Sequence, residues 1–355
     1  MPRKDRLEAI KNLEAICESP VITYVTGDRR PTAYQISDDA VRVLYRHLQV
    51  IGSQNRINLF LYTRGGQLVA PPRIVHLFRE YAKTFYALVP YRAHSAGTSI
   101  CLGADNIIIG KMGELSPIDP TTANPFNPQA MPGDPRNMLT KIPISVEDVD
   151  AYLSLATDRA KLVSEKEKIE VFRALTDKIQ PIALGNVHRV SKDIRTLTPE
   201  LLTYQLKKAE EKIKIPEITK ALTETYTHNY LITRDIAERI GLKVTKPDDK
   251  LESTMWTLYE LYEKDLHLRE IFDPEEILGD QESATVTYDV AFIESLHRGD
   301  VFRMEISVRR APRRAPAILP PGVAPPGAPP PAVVPPIEEF TVKLKPKGWI
   351  EITED

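Results

Sequence analysis

The sequence predicts an α/β domain built on a largely parallel sheet, with a small β unit added near the C-terminal end. Short apolar runs at residues 21–25, 56–62, 84–89 and 107–109 alternate with helical patterns at 37–52, 68–82 and 95–104. That order places crossover helices between parallel strands. Turn-forming residues, Gly65 with Gly66 and then the small residues around Ser95, stand at the ends of successive runs. Further on, residues 284–293 and 301–308 alternate apolar and polar positions like two strands joined through 297–300, and 340–352 alternates again.

Along the chain, Leu7, Ile10, Leu13 and Ile16 recur at three-residue spacing among charges, which predicts an amphipathic helix over 4–18 packed on the body or on a neighbouring subunit. Ser37 is placed to cap the helix over 37–52, with Asp38 and Asp39 in its first turn. Between 116 and 143 periodicity stops and prolines accumulate, as in long functional loops. From 146 to about 179 the pattern is helical and highly charged, consistent with one long helix carrying an oligomer contact. Thr233 stands as an N-cap and Gly241 as a helix stop. Arg309, Arg310, Arg313 and Arg314 lead into a run of Pro, Ala, Gly and Val ending at Pro336, read as a linker over 311–336. The division expected is a helix over 1–19, a main domain over 20–270, and a β-rich region over 271–355 whose strands that linker interrupts.

Composition narrows the function. The 355 residues carry a formal net charge of −2, so no global field argues for nucleic acid. Cys17 and Cys101 are the only cysteines, too far apart in sequence for a disulfide framework or metal spacing. The seven histidines nowhere take the close spacing of a zinc site; His47 and His76 are read as packed or solvated residues. No apolar run is long enough to span a bilayer, and the charged N-terminus is unlike a signal peptide, so a cytoplasmic protein is expected. No cofactor motif occurs: neither a dinucleotide glycine fingerprint nor GxxxxGK[ST] is present.

The chemistry centres on Ser95. Taken alone, a serine at a helix start is a capping residue. Small neighbours, however, let a substrate backbone approach, and acyl transfer needs a nucleophile beside two N–H donors aimed at a developing oxyanion. In a parallel sheet the turns after neighbouring strands open on one edge. The N–H groups of Gly66 and Ala96 are therefore the candidate donors, with Gly65 and His94 lining the substrate path.

Four motifs in order, Tyr62-Thr-Arg-Gly-Gly66, Ala93-His-Ser-Ala-Gly-Thr98, Gly103-Ala-Asp105 and Leu115-Ser-Pro-Ile-Asp-Pro120, resemble the serine dehydrogenase proteinase family, related to Clp proteases and signal peptide peptidase A. The resemblance spans roughly residues 20–245 and implies the Clp/crotonase-like ββα spiral, with Ser95 as nucleophile and Gly66 and Ala96 as the oxyanion hole. One departure is Thr63-Arg64, where relatives commonly carry Ser-Pro or Thr-Pro; the stiffness of that turn is then in question. For the general base two readings stand. His228 serves with Asp119 orienting it, the triad's histidine and acid having exchanged places, or Lys141 forms a Ser–Lys dyad.

The reading is a serine endopeptidase acting on peptides or unfolded proteins, assembled as a homo-oligomer, with any adaptor or unfolding ATPase a separate partner. The alternatives are a non-catalytic scaffold that binds partners through its C-terminal region, and a crotonase-like acyl-CoA enzyme.

Overall fold

The computed structural model describes residues 3–119, 121–122, 124–128, 141–225, 230–311 and 340–352. Its elements run α1 (Arg3–Cys17), β1 (Val21–Thr26), α2 (Asp39–Ile51), β2 (Gln54–Tyr62), α3 (Ala70–Tyr81), β3 (Ala82–Val89), β4 (Arg92–Ala93), α4 (Ala96–Leu102), β5 (Asn106–Ile109) and β6 (Glu114–Leu115). Then come β7 (Thr121–Thr122), β8 (Ile144–Ser145), α5 (Val146–Ser154), α6 (Glu165–Thr176), α7 (Pro181–Gln205), α8 (Ala209–Lys212), α9 (Ile215–Lys220), β9 (Ile232–Thr233), α10 (Arg234–Ile240) and β10 (Val244–Thr245). The chain closes with α11 (Asp249–Asp265), α12 (Pro274–Leu278), β11 (Ser283–Ser295), β12 (Arg298–Arg310) and β13 (Phe340–Glu351).

The main sheet has eight strands in the order β10-β5-β3-β2-β1-β11-β12-β13. From β10 to β1 every neighbour is parallel; from β1 outward every pairing is antiparallel. The change of direction follows from the connections: β1, β2 and β3 are joined through helices, whereas β11 and β12 form a tight hairpin. Both faces are covered, so the carboxyl-terminal halves of the parallel strands β2 and β3 are apolar on both sides and sort by position. Ile57, Leu59 and Leu61 of β2, with Phe85, Ala87 and Val89 of β3, pack into the core under α2, α3, α4 and α7. Phe60, Tyr62 and Leu88 point to the opposite core, under α1 and α11.

The α/β reading with its C-terminal strand unit is what the structure contains. α1 packs on the body, against α11. Its Arg6 is buried and donates from Nε and Nη2 to the Glu294 carboxylate (2.7 and 3.1 Å), which also accepts from the Tyr262 hydroxyl at 2.8 Å. The helix is thereby fastened to β11 by a fully partnered charge. β12 and β13 are the strands flanking residues 312–339, which hold most of the proline-rich linker and lie outside the described residues; their register pairs Arg310 with Phe340.

Two local expectations are corrected. The segment 146–179 is not one helix: α5 passes into a π turn at Leu155–Arg159, Lys161 takes φ +60°, and α6 begins afresh behind a capping box of Ser164 and Glu167. Ser37 does not cap α2; the helix starts two residues later, and the hydroxyl bonds instead to Tyr34 and Asp39. Thr233 occupies its N-cap position without a side-chain cap, while Gly241 ends α10 at φ +106°. Among the described residues no helix is long and apolar enough to cross a membrane.

Candidate active site

β2 and β3 are parallel neighbours, so the turns that leave their carboxyl ends lie side by side. The first turn is built by Thr63. Its N–H donates to the Arg92 carbonyl (2.8 Å) and its carbonyl accepts from the His94 N–H (3.1 Å), which ties the turn to β4. Its hydroxyl accepts from the Gly65 N–H (3.0 Å) and from the Thr26 hydroxyl (2.9 Å). These bonds hold the turn without a proline.

Gly65 then takes φ +110° and bears directly on the second turn. A β-carbon at Gly65 would stand 2.9 Å from the Ser95 Cβ, 3.0 Å from the His94 carbonyl oxygen and 3.4 Å from the Ala96 nitrogen. Gly66 is pressed on the Ile36 backbone, where a β-carbon would approach the carbonyl oxygen to 2.0 Å. Only glycines allow backbone this close. In the same bridge Ile36 donates to the Gly65 carbonyl and Gln67 donates to Ile36, leaving the Gly66 N–H with no acceptor among the described residues.

Ser95 has φ +49° and ψ −108°, a conformation that costs a non-glycine residue about 1–3 kcal/mol and persists where the surroundings enforce it. Its N–H donates to the Ser116 hydroxyl at 2.8 Å. Ser116 is interlocked with α4 through Thr98, whose hydroxyl lies 2.9 Å from the Ser116 carbonyl oxygen and accepts from the Ser116 N–H at 3.1 Å. The Ser95 hydroxyl makes no cap on α4 and no hydrogen bond among the described residues. Ala96 begins α4, and its N–H is one of the unengaged donors of a first helical turn. A strained serine whose hydroxyl has no partner among the described residues thus sits where the Gly65 turn touches it; the N–H groups of the residues that follow, Gly66 after Gly65 and Ala96 after Ser95, have no acceptor among the described residues.

Around this centre runs a chain of charges. Arg64 Nε donates to Asp28 (2.7 Å), Arg92 donates to Asp28 (3.3 Å) and Glu114 (3.2 Å), and His94 Nε2 bonds Glu114 at 3.1 Å. Burial holds the His94 pKa below its ordinary value; Glu114 opposes this and the charges of Arg64 and Arg92 reinforce it. Burial thus favours the uncharged form of His94, whose ring stays bound to Glu114.

The proposed bases stand differently. Asp119 accepts from the Ser145 hydroxyl (3.2 Å) and the Glu147 N–H (3.3 Å), bracing the start of α5. With Ile118, Glu147, Asp150, Arg195 and Glu224 it also lines a cavity of about 550 Å³ that does not include Ser95. The side chain of Lys141 makes no ion pair among the described residues, and His228 lies outside them. No group of three or more His, Cys, Asp or Glu among the described residues is placed to hold a metal ion.

Of the residues singled out in the sequence, the structure sets Gly65 against Ser95 and Ala96, with Gly66 the next residue in the same turn. Sequence reasoning gave no role to Thr63, Thr98 and Ser116, although all three lie inside the quoted motifs. Asp28, far from Arg92 in sequence, carried no signal at all.

Residues 3–142 match a family model described as ClpP-like SDH-type serine proteinase. Two uncharacterised proteins of Methanocaldococcus jannaschii are similar: one is 26% identical over 272 residues, 74% of this chain and 80% of that protein, and the other is 24% identical over 226 residues, 63% of each. Among solved structures, ClpP1 from Listeria monocytogenes aligns with a TM-score of 0.34 and 14% identity, over 69% of this chain and 97% of that one. A membrane-bound stomatin-specific protease, 1510-N, aligns with a TM-score of 0.33 and 15% identity, over 62% and 79%. Over residues 3–142, the chain therefore carries the ClpP-like SDH-type serine proteinase match that its motifs predicted.

Proposed function

We propose that this protein is a serine peptidase in which Ser95 attacks the carbonyl carbon of a peptide bond. The observation that carries the reading is the meeting of two strand-end turns: a positive-φ serine with no hydroxyl partner among the described residues, touched by Gly65, with the N–H groups of the next residues, Gly66 and Ala96, unengaged among the described residues. As the Oγ–C bond forms, the carbonyl oxygen becomes negative, and donors already in place stabilise it without reorganisation. The proton leaving Ser95 passes to a base and then to the departing amine; water attacks the acyl-enzyme and regenerates the hydroxyl. His228 oriented by Asp119 is the base we favour, and Lys141 the rival.

Peptides or unfolded segments are the substrates this reading implies, in a cytoplasmic setting and a homo-oligomer. α6 buries none of its residues and exposes Ile169 and Phe172, the surface offered for such a contact.

A non-catalytic scaffold has one observation in its favour, the lack of any described partner on the Ser95 hydroxyl. Fluorophosphonate treatment of the folded full-length chain separates the two. A peptidase adds the phosphonyl group to Ser95, located by peptide mass mapping, and Ser95→Ala takes up none; an unreactive Ser95 would favour the scaffold.

A further inference from the structure

We infer that Arg64 selects a carboxylate on the substrate and holds it beside the Gly65-Gly66 turn. The inference rests on the peptidase reading and adds the chemical class that the site prefers. Arg64 stands one residue, about 3.8 Å along the chain, from the glycine that touches Ser95. Its side chain is half exposed, at 52%, and its guanidinium is anchored among the described residues at one nitrogen only, Nε on Asp28. Nη1 and Nη2 have no acceptor among the described residues, so the outer fork of the guanidinium is left with its N–H groups unspent.

Arg92 differs in each respect. It is 23% exposed, donates to both Asp28 and Glu114, and lies over the Tyr91 ring at 4.1 Å. It is committed to the fold, and by neutralising Glu114 and sharing Asp28 it frees Arg64 from being needed there. The positive charge of Arg64 is near enough to act on His94, the residue preceding the nucleophile.

The charges of Arg64 and Arg92 cancel those of Asp28 and Glu114, so no surplus field draws in every anion. Recognition has to come from geometry, two parallel N–H···O bonds from a planar fork to a carboxylate. The existing Arg64–Asp28 pair is solvated and contributes little, so directing the fork to a ligand forfeits little. A peptide presents a carboxylate either on an acidic side chain or at its free C-terminus.

The test uses two alkyl fluorophosphonates of equal length, one ending in a carboxylate and the other in the methyl ester, with Ser95 labelling rates read by intact mass. In the unaltered chain the carboxylate reagent should react on the order of tenfold faster, the scale of a charge-assisted hydrogen bond. The ratio should fall to about one in R64Q and lie between in R64K, which keeps the charge without the fork. A ratio near one in the unaltered chain, or a preference that survives R64Q, overturns the assignment. If neither reagent labels Ser95, the peptidase reading itself has failed and this inference goes with it. Competing peptides identify the source: protection by a Glu-containing amidated peptide assigns an acidic side chain, protection by its Gln analogue with a free C-terminus assigns the chain end, and protection by neither overturns the proposal.

Discussion

Ser95 and Ser295 divide between them the features usually taken together as the mark of a catalytic serine. Ser295, at the end of β11, is hydrogen-bonded to His47 Nδ1 at 2.9 Å, and His47 Nε2 is 3.1 Å from Asp300, which also accepts two bonds from Arg298. That is a serine, histidine and aspartate in sequence of contact. His47, Ser295 and Asp300 are at most 1% exposed, however, against 9% for Ser95, itself a buried residue, and Ser295 lies in the regular ladder opposite Arg298. Ser95 has no such relay among the described residues, yet it has the strained turn, the free hydroxyl and the unengaged donors. The relay at Ser295 fastens α2 to the C-terminal hairpin. A hydrogen-bond chain orders a proton; it does nothing for a carbonyl oxygen that has no room to approach and no donors to meet it.

Substituting each serine in turn breaks the comparison most sharply. Ser95→Ala should remove fluorophosphonate labelling and lower any peptide hydrolysis by roughly a millionfold, the scale of losing a nucleophilic serine. Ser295→Ala should keep the labelling and lower the unfolding free energy by about 1 kcal/mol, one hydrogen bond's net contribution, seen in urea denaturation. Loss of labelling in Ser295→Ala with the fold intact would put the catalytic centre in the wrong place.

Gly66→Ala tests the donor rather than the nucleophile. The added carbon cannot be accepted 2.0 Å from the Ile36 carbonyl oxygen, so the turn must move and carry its N–H with it. We expect labelling of Ser95 to slow by on the order of a hundredfold, as when one oxyanion donor is removed, with some loss of stability. Circular dichroism on the same sample separates that from unfolding; unchanged labelling in folded protein would remove Gly66 from the site.

The first of these residues could be read from the sequence because their evidence is local. Gly65, Gly66 and Ser95 each follow an apolar run within a few residues, and the period of the runs sets which edge they share. The relay could not be read so: His47 and Asp300 are 253 positions apart, and nothing in either helix or hairpin names the other. Alternation at 284–293 announces strands but not the neighbour they choose, and β11 joins the main sheet along β1. The break between α5 and α6 did have a signal, Ser164 followed three residues later by Glu167. It was outweighed by the charged, helix-favouring composition on either side.

Asp300→Ala sharpens the other half of the comparison. It leaves His47 in the interior without its carboxylate and Arg298 with Glu351 alone, and should cost about 3 kcal/mol, the scale of breaking a buried ion pair from one side. Ser95 labelling in the folded fraction should persist. Urea midpoints measure the first and intact mass the second; a stability change below about 1 kcal/mol would mean that Glu351, the other partner of Arg298, suffices alone.

The smallest expected effect is a slope. Burial holds the His47 pKa below its ordinary 6.5, against the opposing pull of Asp300 and Glu294 and with help from the Arg298 charge. Hydrogen bonds from His47 and Arg298 keep Asp300 ionised despite its burial. A neutral His47 donating from Nε2 to Asp300 leaves Nδ1 to accept from the Ser295 hydroxyl. Because the unfolded chain binds the histidine proton more readily than the folded one, stability is complete above pH 6.5. It declines as the pH falls through 6.5 and levels off beneath the folded pKa, by at most about 1.4 kcal/mol per pH unit. His47→Gln should flatten this part of the stability profile between pH 7 and 5, while leaving the fall at lower pH that Asp300 brings as its own, depressed pKa is reached. A profile whose slope near pH 6 is the same in both proteins would show that another histidine carries it.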